Sequence, residues 1–373
     1  MAEPTRVLIA ADKFKGSLTA VEVARHVAAG LRRAAPGVVP VALPVADGGD
    51  GTVAAALAAG YRRREATVTG PSGRPVTAAY ALSGDGGTAV VEMAEASGLR
   101  LLPPGRLAPL TATTYGTGEL VRAALDAGAR TVVLGVGGSA TTDGGAGMLA
   151  ALGARFLDAD GRPLGPGGGA LAALDRADLS GLDPRLAATR IVLAGDVDNP
   201  LTGPRGAAAV YGPQKGASAA DVAALDAALA RYAWLLDGGR HADAPGAGAA
   251  GGLGYGALAG LGAAFRPGIE VMLDVLGFRA AVAEADLVIT GEGSLDEQTL
   301  HGKAPVGVAR AAGGTAVVAV CGRLSLDAAT LAGVGIQRAY ALTELEPDLE
   351  RCVAHAGPLL ERLAARIARD YLG

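Results

Sequence analysis

Buried strands and helical segments alternate along the first sixty residues of the chain. Apolar strands are indicated at residues 7–11 and 38–45, and helices at residues 19–34 and 50–59. Parallel strands need long crossover connections, which helices usually supply, so this order predicts a parallel sheet covered by helices. We therefore expect an α/β fold that begins with a Rossmann-like sheet.

The pattern changes after residue 65. Short segments over residues 66–94 are interrupted by Gly-rich turns, which predicts antiparallel hairpins. Strands at residues 131–136 and 191–194 then indicate a second α/β region. The Gly- and Ala-rich residues 246–262 lack charge and Ser, so we expect a close-packed helix start or a hinge there instead of a disordered linker.

The parallel-sheet pattern returns towards the end of the chain. Apolar strands at residues 287–290, 315–320 and 336–342 alternate with helical segments. A chain of 373 residues also exceeds what one hydrophobic core usually serves. The prediction is a discontinuous Rossmann-like domain, made of residues 1–65 and 265–373, with a second α/β domain, residues 66–264, inserted into it.

Composition excludes several classes of protein. No stretch reaches the ~18 uncharged apolar residues that cross a bilayer, and the first apolar run soon meets Asp12 and Lys13, which indicates a strand and not a signal peptide. Only Cys321 and Cys352 are present, so a disulfide framework is excluded. The net charge of −4 and the few aromatic residues argue against nucleic-acid binding. We expect a cytoplasmic monomer or homodimer whose partners are small molecules.

Lysine is rare in this chain. Arg occurs 29 times, whereas Lys occurs four times, at Lys13, Lys15, Lys215 and Lys303. Three of the four lie beside a glycine. The ammonium group of Lys is compact and the guanidinium of Arg is planar, so these lysines are candidates for sites that need a compact cation. A biased composition would explain the same pattern.

A Gly-rich segment, residues 135–147, lies between a predicted strand and a predicted helix. Such a segment lets backbone N–H groups approach a phosphate, and Gly137, Gly138 and Ser139 are the candidate donors, with Asp143 close by. Residues 135–140 also fit G-x-G-x-x-A, with Asp158 further on, which is the weak fingerprint of a nicotinamide cofactor site. Tight packing of glycines is a third interpretation.

Polar loops follow the first two predicted strands. Residues 12–17 place Lys15 and Ser17 where ligands bind in open α/β sheets, at the carboxyl ends of strands. The alternative is that Ser17 or Thr19 caps the next helix. Residues 47–52, with Asp47 and three glycines, form either a turn that faces a ligand or a capped surface turn.

Two acidic loops follow later strands. Asp196 and Asp198 end the strand at residues 191–194, which suits Mg²⁺ binding or acceptance of a proton, and Lys215 offers a cation soon after. Residues 291–303 contain further charged groups after another buried strand. A solvated acidic loop is the alternative in each case. Together, these loops supply the cations, backbone donors and carboxylates that phosphoryl transfer needs.

The same loops resemble those of the bacterial glycerate kinase family over nearly the whole chain. The resemblance rests on Asp-Asn-Pro-Leu at residues 198–201, Tyr-Gly-Pro-Gln-Lys-Gly at 211–216, Gly-Glu-Gly at 291–293 and Gly-Lys-Ala-Pro at 302–305. Three residues depart from those usual in the family, namely Lys13, Asp50 and Thr142. The resemblance implies transfer of the γ-phosphate of ATP to D-glycerate with Mg²⁺, in a cleft between two α/β domains, and it favours 2-phosphoglycerate as the product.

The resemblance also implies which residues form the site, while their roles are inferred from charge. We expect Asp196 to act as general base, with Lys15 and Asp47 as further catalytic residues and Asp198 and Glu292 as Mg²⁺ ligands. The expected substrate- and phosphate-binding residues are Ser17, Gly137, Gly138, Ser139, Asp143, Lys215, Asp296, Gln298 and Lys303.

Two alternative functions belong to other classes. A nicotinamide-dependent oxidoreductase of a small hydroxy acid is motivated by Gly135, Gly137, Ala140 and Asp158. A sensor of sugar acids would keep the ligand site without chemistry, and the retained Lys and Asp residues argue against it. The kinase is the leading hypothesis.

Overall fold

The computed structural model describes residues 4–372, which form two compact units. The first unit extends to Asp47 and includes Ala54–Ala59 and the chain from Ile269 onward. The second comprises Gly48–Val53 and Gly60–Gly268. The predicted domain limits near residues 65 and 265 stay a prediction. Within the described residues, no helix is long and apolar enough to cross a membrane.

Strands and helices alternate through most of the described chain. The strands are β1 (Arg6–Ala11), β2 (Val39–Ala42), β3 (Arg62–Thr69), β4 (Pro75–Leu82), β5 (Thr88–Glu92), β6 (Thr131–Gly135), β7 (Arg155–Leu157), β8 (Arg176–Asp178), β9 (Arg190–Ala194), β10 (Ala264–Arg266), β11 (Leu287–Leu295), β12 (Ala316–Leu324) and β13 (Arg338–Ala341). The helices are α1 (Ala20–Ala34), α2 (Thr52–Ala58), α3 (Ala94–Ser97), α4 (Tyr115–Asp126), α5 (Ala146–Ala151), α6 (Ala207–Tyr211), α7 (Ala219–Asp237), α8 (Ala249–Leu261), α9 (Gly268–Val275), α10 (Phe278–Ala283), α11 (Ala304–Ala311), α12 (Ala328–Gly333), α13 (Leu349–Ala354) and α14 (Ala356–Tyr371).

The first unit is built on a five-stranded parallel sheet. Its strand order is β13-β12-β11-β1-β2, and every neighbouring pair runs parallel. The central strands carry apolar side chains on both faces, because helices cover both faces of a parallel sheet. Separate apolar cores lie on the two faces, one of them against α1 and α14. This is the Rossmann-like arrangement that the sequence predicts.

The start of α1 shows which of two candidate residues, Ser17 or Thr19, caps this helix. Thr19 accepts a hydrogen bond from the backbone N–H of Glu22, and the Glu22 carboxylate accepts one from the N–H of Thr19. This reciprocal capping satisfies two N–H groups that the helix leaves unpaired. Thr19 is therefore the cap of α1. Ser17 instead donates its hydroxyl to the carbonyl of Val353, 3.0 Å away.

The second unit contains a six-stranded mixed sheet of order β10-β9-β6-β5-β4-β3. Strands β3, β4 and β5 pair antiparallel, as the Gly-rich turns predict, and β5, β6, β9 and β10 pair parallel. β7 and β8 form a separate two-stranded sheet. The predicted α/β class of both regions is confirmed.

The Gly- and Ala-rich segment at residues 246–262 forms the closely packed start of α8. Ala250, Gly251 and Gly252 have positive φ, so the chain turns there before the helix continues. A Cβ on Gly251 would lie 1.9 Å from the carbonyl oxygen of Thr141. Glycine is required because any side chain would collide with the Gly-rich loop, and the prediction of a close-packed helix start is confirmed.

Candidate active site

Three carboxylates of the first unit occupy one edge of its parallel sheet. Asp12 directly follows β1, and its N–H donates to the carbonyl of Gly291 in β11. Glu292 is the next residue of β11. Asp47 comes two residues after Val45, whose N–H donates to the carbonyl of Ala11. Since the carboxyl ends of parallel strands meet at one edge, these residues form one group, here called the carboxylate cluster.

Asp12 is the most perturbed acid of the carboxylate cluster. Its pKa is raised to about 7, mainly because its side chain is buried. The negative charges of Asp47 and Glu292 contribute to the raised pKa, while Lys13, whose ammonium lies 3.5 Å from Asp12 Oδ1, opposes it. Asp12 was not among the residues chosen from the sequence. The signal that could have identified it is its position at the end of the first strand, directly before Lys13.

Glu292 is held between an alcohol and a cation. The hydroxyl of Thr299 donates to its Oε1, and Thr299 itself is buried. Burial raises the pKa of Glu292, and the Thr299 hydrogen bond and the charge of Lys303 oppose the shift. Asp296 and Asp47 raise the pKa again. The predicted residues Glu292 and Lys303 are thus electrostatically coupled, which is consistent with a shared site.

Asp296 and Gln298 belong to the turn that positions Thr299. Asp296 caps the short 3₁₀ helix Glu297–His301 by accepting the N–H of Gln298, and its own N–H donates to the Thr299 hydroxyl. Gln298 accepts a long hydrogen bond of 3.4 Å from the ammonium of Lys303. Asp296 therefore has a clear structural role. Ligand binding by Asp296 and Gln298 stays a prediction.

The Gly-rich loop of the second unit is rigidly packed on one side and open on the other. Gly137 and Gly138 are accessible, whereas Ser139 and the residues up to Ala146 are buried. Gly138 has φ +62°, and a Cβ there would lie 2.4 Å from a carboxylate oxygen of Asp50. Accessible backbone N–H groups are thus found at the start of the loop, at Gly137 and Gly138. The carboxylate of Asp50 lies beside them.

Lys215 anchors the Gly-rich loop from inside the protein. Its ammonium donates to the hydroxyl of Ser139 at 2.8 Å and to the carbonyl of Thr141 at 2.6 Å, and its side chain is buried. Burial lowers the pKa of Lys215 to about 7, against the raising effect of Asp143. The sequence predicts Lys215 as a ligand-binding cation, and the structure shows a buried group that fixes the loop. Direct contact with a ligand stays a prediction.

Asp143 is a second internal support of this loop. Its carboxylate accepts hydrogen bonds from the N–H and hydroxyl of Thr114 and from the N–H groups of Gly145 and Gly147. Burial raises its pKa, and these hydrogen bonds oppose the shift. Asp143 is nearly inaccessible to solvent, so its observed role is to hold the start of α5. Its assignment as a phosphate-binding residue stays a prediction.

The acids after β9 differ from these buried groups because they are exposed. Asp196 accepts the N–H of Gly268 at 2.9 Å, which fixes one of its carboxylate oxygens. Asp198 is also exposed. Asn199 is structural: its amide donates to the carbonyl of Arg205 and accepts the hydroxyl of Tyr211. Ligand binding by Asp196 and Asp198 stays a prediction.

Glu92 is another buried acid that was not chosen from the sequence. Its carboxylate accepts the N–H groups of Gly51 and Val53, and burial raises its pKa. It thereby fixes the glycine turn that follows Asp47 along the chain. Its position at the end of β5, a strand with no other signal of function, is why sequence reasoning missed it.

The structure contradicts the nicotinamide fingerprint. In a dinucleotide site the glycines open a helix directly after the strand, and the acid ends the neighbouring parallel strand. Here α5 begins only at Ala146, well after Gly137 and Ala140. Asp158 follows β7, which belongs to the separate two-stranded sheet, and it pairs with Arg162. The match to G-x-G-x-x-A is therefore incidental.

A preformed metal cage is absent from the described part of the chain. Within residues 4–372, no group of three or more His, Cys, Asp or Glu side chains is placed to hold a metal ion. The two predicted metal ligands, Asp198 and Glu292, belong to different units. The oxygen donors of the carboxylate cluster nevertheless suit a hard cation, and Mg²⁺ usually completes its shell with water and substrate phosphates.

The protein has an α/β fold, and carboxylates and lysines lie at the carboxyl ends of its parallel strands. This arrangement is typical of an enzyme that binds anionic substrates. Comparison with known proteins is consistent with this class. The model of the "Glycerate kinase family" matches residues 7–372. The chain belongs to the glycerate kinase family and is therefore a kinase, a phosphotransferase enzyme.

Individual relatives align with almost the full length of the chain. The glycerate kinase of Bacillus subtilis (strain 168) is 48% identical over 369 residues, covering 97% of each protein. The glycerate 2-kinase of Escherichia coli (strain K12) is 47% identical over 343 residues, covering 90% of each. A crystal structure assigned as glycerate kinase 2 from Salmonella typhimurium LT2 matches with a TM-score of 0.85, at 45% identity and 98% coverage of both chains.

Proposed function

We propose that this enzyme transfers the γ-phosphate of ATP to D-glycerate and forms 2-phosphoglycerate. Membership of the family supports a kinase, and the Escherichia coli relative is a glycerate 2-kinase. The observation that carries the proposal is the carboxylate cluster of Asp12, Asp47 and Glu292, with Lys303 coupled to Glu292. Phosphoryl transfer needs such groups, because acids hold the metal and cations stabilise the transferred charge. A cytosolic location stays a prediction of the sequence.

Mg²⁺ fits the carboxylate cluster on chemical grounds. Asp12 and Glu292 are buried acids whose pKa values are raised partly by neighbouring carboxylates, so a divalent cation would relieve repulsion that the protein now bears. Glu292, together with Asp12 or Asp47, would hold the ion, and water and substrate phosphates would complete its shell. Asp198 stays the second candidate from the sequence. Bound Mg²⁺ would neutralise phosphate charge during transfer.

The remaining groups would bind and orient the substrates, and one of them would accept the proton of the attacking hydroxyl. Lys15 and Lys303 would neutralise phosphate or carboxylate charge, and the N–H groups of Gly137 and Gly138 would donate to anionic oxygens. Asp196 would accept the proton of the attacking hydroxyl, since it is accessible and one of its oxygens is already fixed by Gly268. Lys215 and Asp143 would keep the Gly-rich loop in one conformation.

Release of ADP that depends on glycerate tests this proposal. The enzyme is incubated with Mg-ATP and D-glycerate, and ADP is measured with a coupled assay. We expect ADP release with D-glycerate and little without an acceptor. Equal release in both cases would indicate simple ATP hydrolysis, and no release with D-glycerate would contradict the proposed substrate.

A further inference from the structure

A cavity of about 210 Å³ lies within the first unit, at the carboxyl ends of β11 and β12. Gly293 and Gly322 lie where these strands pass the cavity, and the loop after β1 supplies Phe14 and Lys15. Gly293 directly follows Glu292 of the carboxylate cluster. The cavity lies at the same edge of the sheet as Glu292 but on the face covered by α13 and α14, whereas Glu292 is in register with Cys321 of the core on the other face.

Two cations line this cavity without a partner among the described residues. Lys15 and Arg323 are both exposed, and within residues 4–372 neither forms an ion pair or a side-chain hydrogen bond. Arg323 lies near the end of β12, in register with Ser294 of β11. Two unpaired positive charges that line one cavity are complementary to an anion with more than one negative charge.

The other walls are apolar and partly exposed. Leu349 and Val353 lie one turn apart on α13, so they share a helix face, and each is 52% exposed although both line the cavity. Phe14 and Leu342 complete this wall from inside. Apolar side chains left open to solvent in a cavity favour a ligand with a flat apolar face.

We infer that this cavity binds the nucleotide, with its base against Leu349 and Val353 and its phosphates on Arg323 and Lys15. The inference rests on the proposed function, because it assigns the phosphate donor of that reaction to a place in the fold. Glycerate does not match the cavity, since each of its three carbons carries oxygen and it has no apolar face. The cavity is smaller than the ~300–1,000 Å³ that encloses a whole drug-sized ligand, so it takes the base while the phosphates extend to its rim.

Arg323 is the residue that this inference adds to the site. It was not selected from the sequence, because one Arg among 29 carries no signal by itself. Its guanidinium presents a planar set of donors that can bind two phosphate oxygens at once, whereas Lys15 supplies a single ammonium. The pair would thus hold adjacent phosphate groups of the nucleotide.

The test compares two variants with two matched controls. Arg323→Met removes the charge and Leu349→Ser removes the apolar wall; both side chains are exposed, so the fold is expected to survive. The controls are Arg310→Met, on the exposed side of α11, and Val21→Ser, which is 47% exposed on α1. ADP binding is measured by titration calorimetry without glycerate, and the KM values for ATP and D-glycerate are measured separately.

We expect Arg323→Met to weaken ADP binding about tenfold or more, which corresponds to the loss of one charged hydrogen-bonding group. Leu349→Ser should also weaken it, both variants should raise the KM for ATP, and the KM for glycerate should change little. Controls should bind ADP as the wild type does. Unchanged ADP affinity in both variants, or a raised KM for glycerate alone, would overturn the inference.

The two proposals can fail separately. If the wild type binds ADP through Arg323 but does not phosphorylate glycerate, the proposed substrate is wrong and the nucleotide site stands. If glycerate is phosphorylated while both variants keep the wild-type KM for ATP, the substrate stands and the nucleotide site is wrong.

Discussion

The ammonium nitrogen of Lys215 lies 2.8 Å from the hydroxyl oxygen of Ser139, inside the protein. A lysine in this position does not present its charge to solvent. Its hydrogen bonds connect residues 212–216 to the Gly-rich loop. Gly137 and Gly138 are the accessible part of that loop. The loop is therefore held by buried polar groups before any ligand binds, which reduces the ordering cost of binding.

The buried Lys215 should make stability depend on pH. Burial lowers its pKa to about 7, below the value of about 10.5 in an unfolded chain, so the unfolded state binds more protons between these values. The free energy of unfolding should therefore rise with pH over this window, by at most about 1.4 kcal/mol per pH unit from this group. Urea unfolding of the wild type and Lys215→Met at pH 7, 8 and 9 measures the difference.

The control for this experiment is Lys15→Met, because the Lys15 side chain is exposed. Lys15→Met should keep the pH slope of the wild type, and Lys215→Met should lose part of it. Identical slopes in all three proteins would show that Lys215 is not buried as described.

Gly251 should tolerate substitution worse than other glycines of the same backbone conformation. Gly251 and Gly105 both have φ +72°, but a Cβ on Gly251 would lie 1.9 Å from the backbone carbonyl oxygen of Thr141, whereas Gly105 has nothing within 4 Å of a Cβ. Gly105→Ala should cost only the conformational penalty of about 1–2 kcal/mol. Gly251→Ala should cost more in the free energy of unfolding, measured by urea denaturation. Equal costs would mean that the close contact with Thr141 is absent.

The order of strands and helices could be predicted from the sequence because each buried strand is a short apolar run bounded by turn residues. β1 and β11 show this most clearly, since both are apolar on both faces. The predicted strand at residues 38–45 shrinks to β2, Val39–Ala42, because strand ends depend on the partner strand and not on local sequence.

The sequence predicts which loops form the candidate site, but it does not predict the role of each residue in them. Charge type selected Lys215 and Asp143 as ligand-binding groups, and the structure places both inside the protein. Burial is decided by distant residues such as Thr114 and Thr141, which no local pattern reveals. Asp12 and Arg323 were missed for the same reason, since their importance comes from neighbours on other strands.

Asp12 should make the metal-free enzyme less stable as pH rises. Its pKa of about 7 lies above the unfolded value of about 3.9, so the folded state binds more protons between these values and stability is lost from about pH 4 to pH 7. Asp12→Asn should remove this loss and be more stable than the wild type at pH 8, while activity falls by roughly 10². Thermal unfolding without metal, together with kcat, measures both effects. A variant that is less stable at pH 8 contradicts the repulsive cluster.

Glu292 should control the requirement for Mg²⁺. A chelator should abolish activity, and Glu292→Gln should raise the Mg²⁺ concentration that gives half-maximal rate, because one oxygen donor loses its charge. Glu297→Gln, five residues away and exposed, is the matched control and should behave as the wild type. Titration of activity with Mg²⁺ at fixed ATP gives the comparison. An unchanged Mg²⁺ requirement in Glu292→Gln would place the metal elsewhere.

We propose that the enzyme phosphorylates D-glycerate at its 2-hydroxyl with ATP. The most direct measurement is a phosphorus NMR spectrum of the products after incubation of the enzyme with Mg-ATP and D-glycerate. We expect signals of ADP and a new phosphomonoester signal that is coupled to a single proton, as in 2-phosphoglycerate. A phosphomonoester coupled to two protons would assign the reaction to the 3-hydroxyl, and a spectrum that shows only intact ATP would contradict the claim.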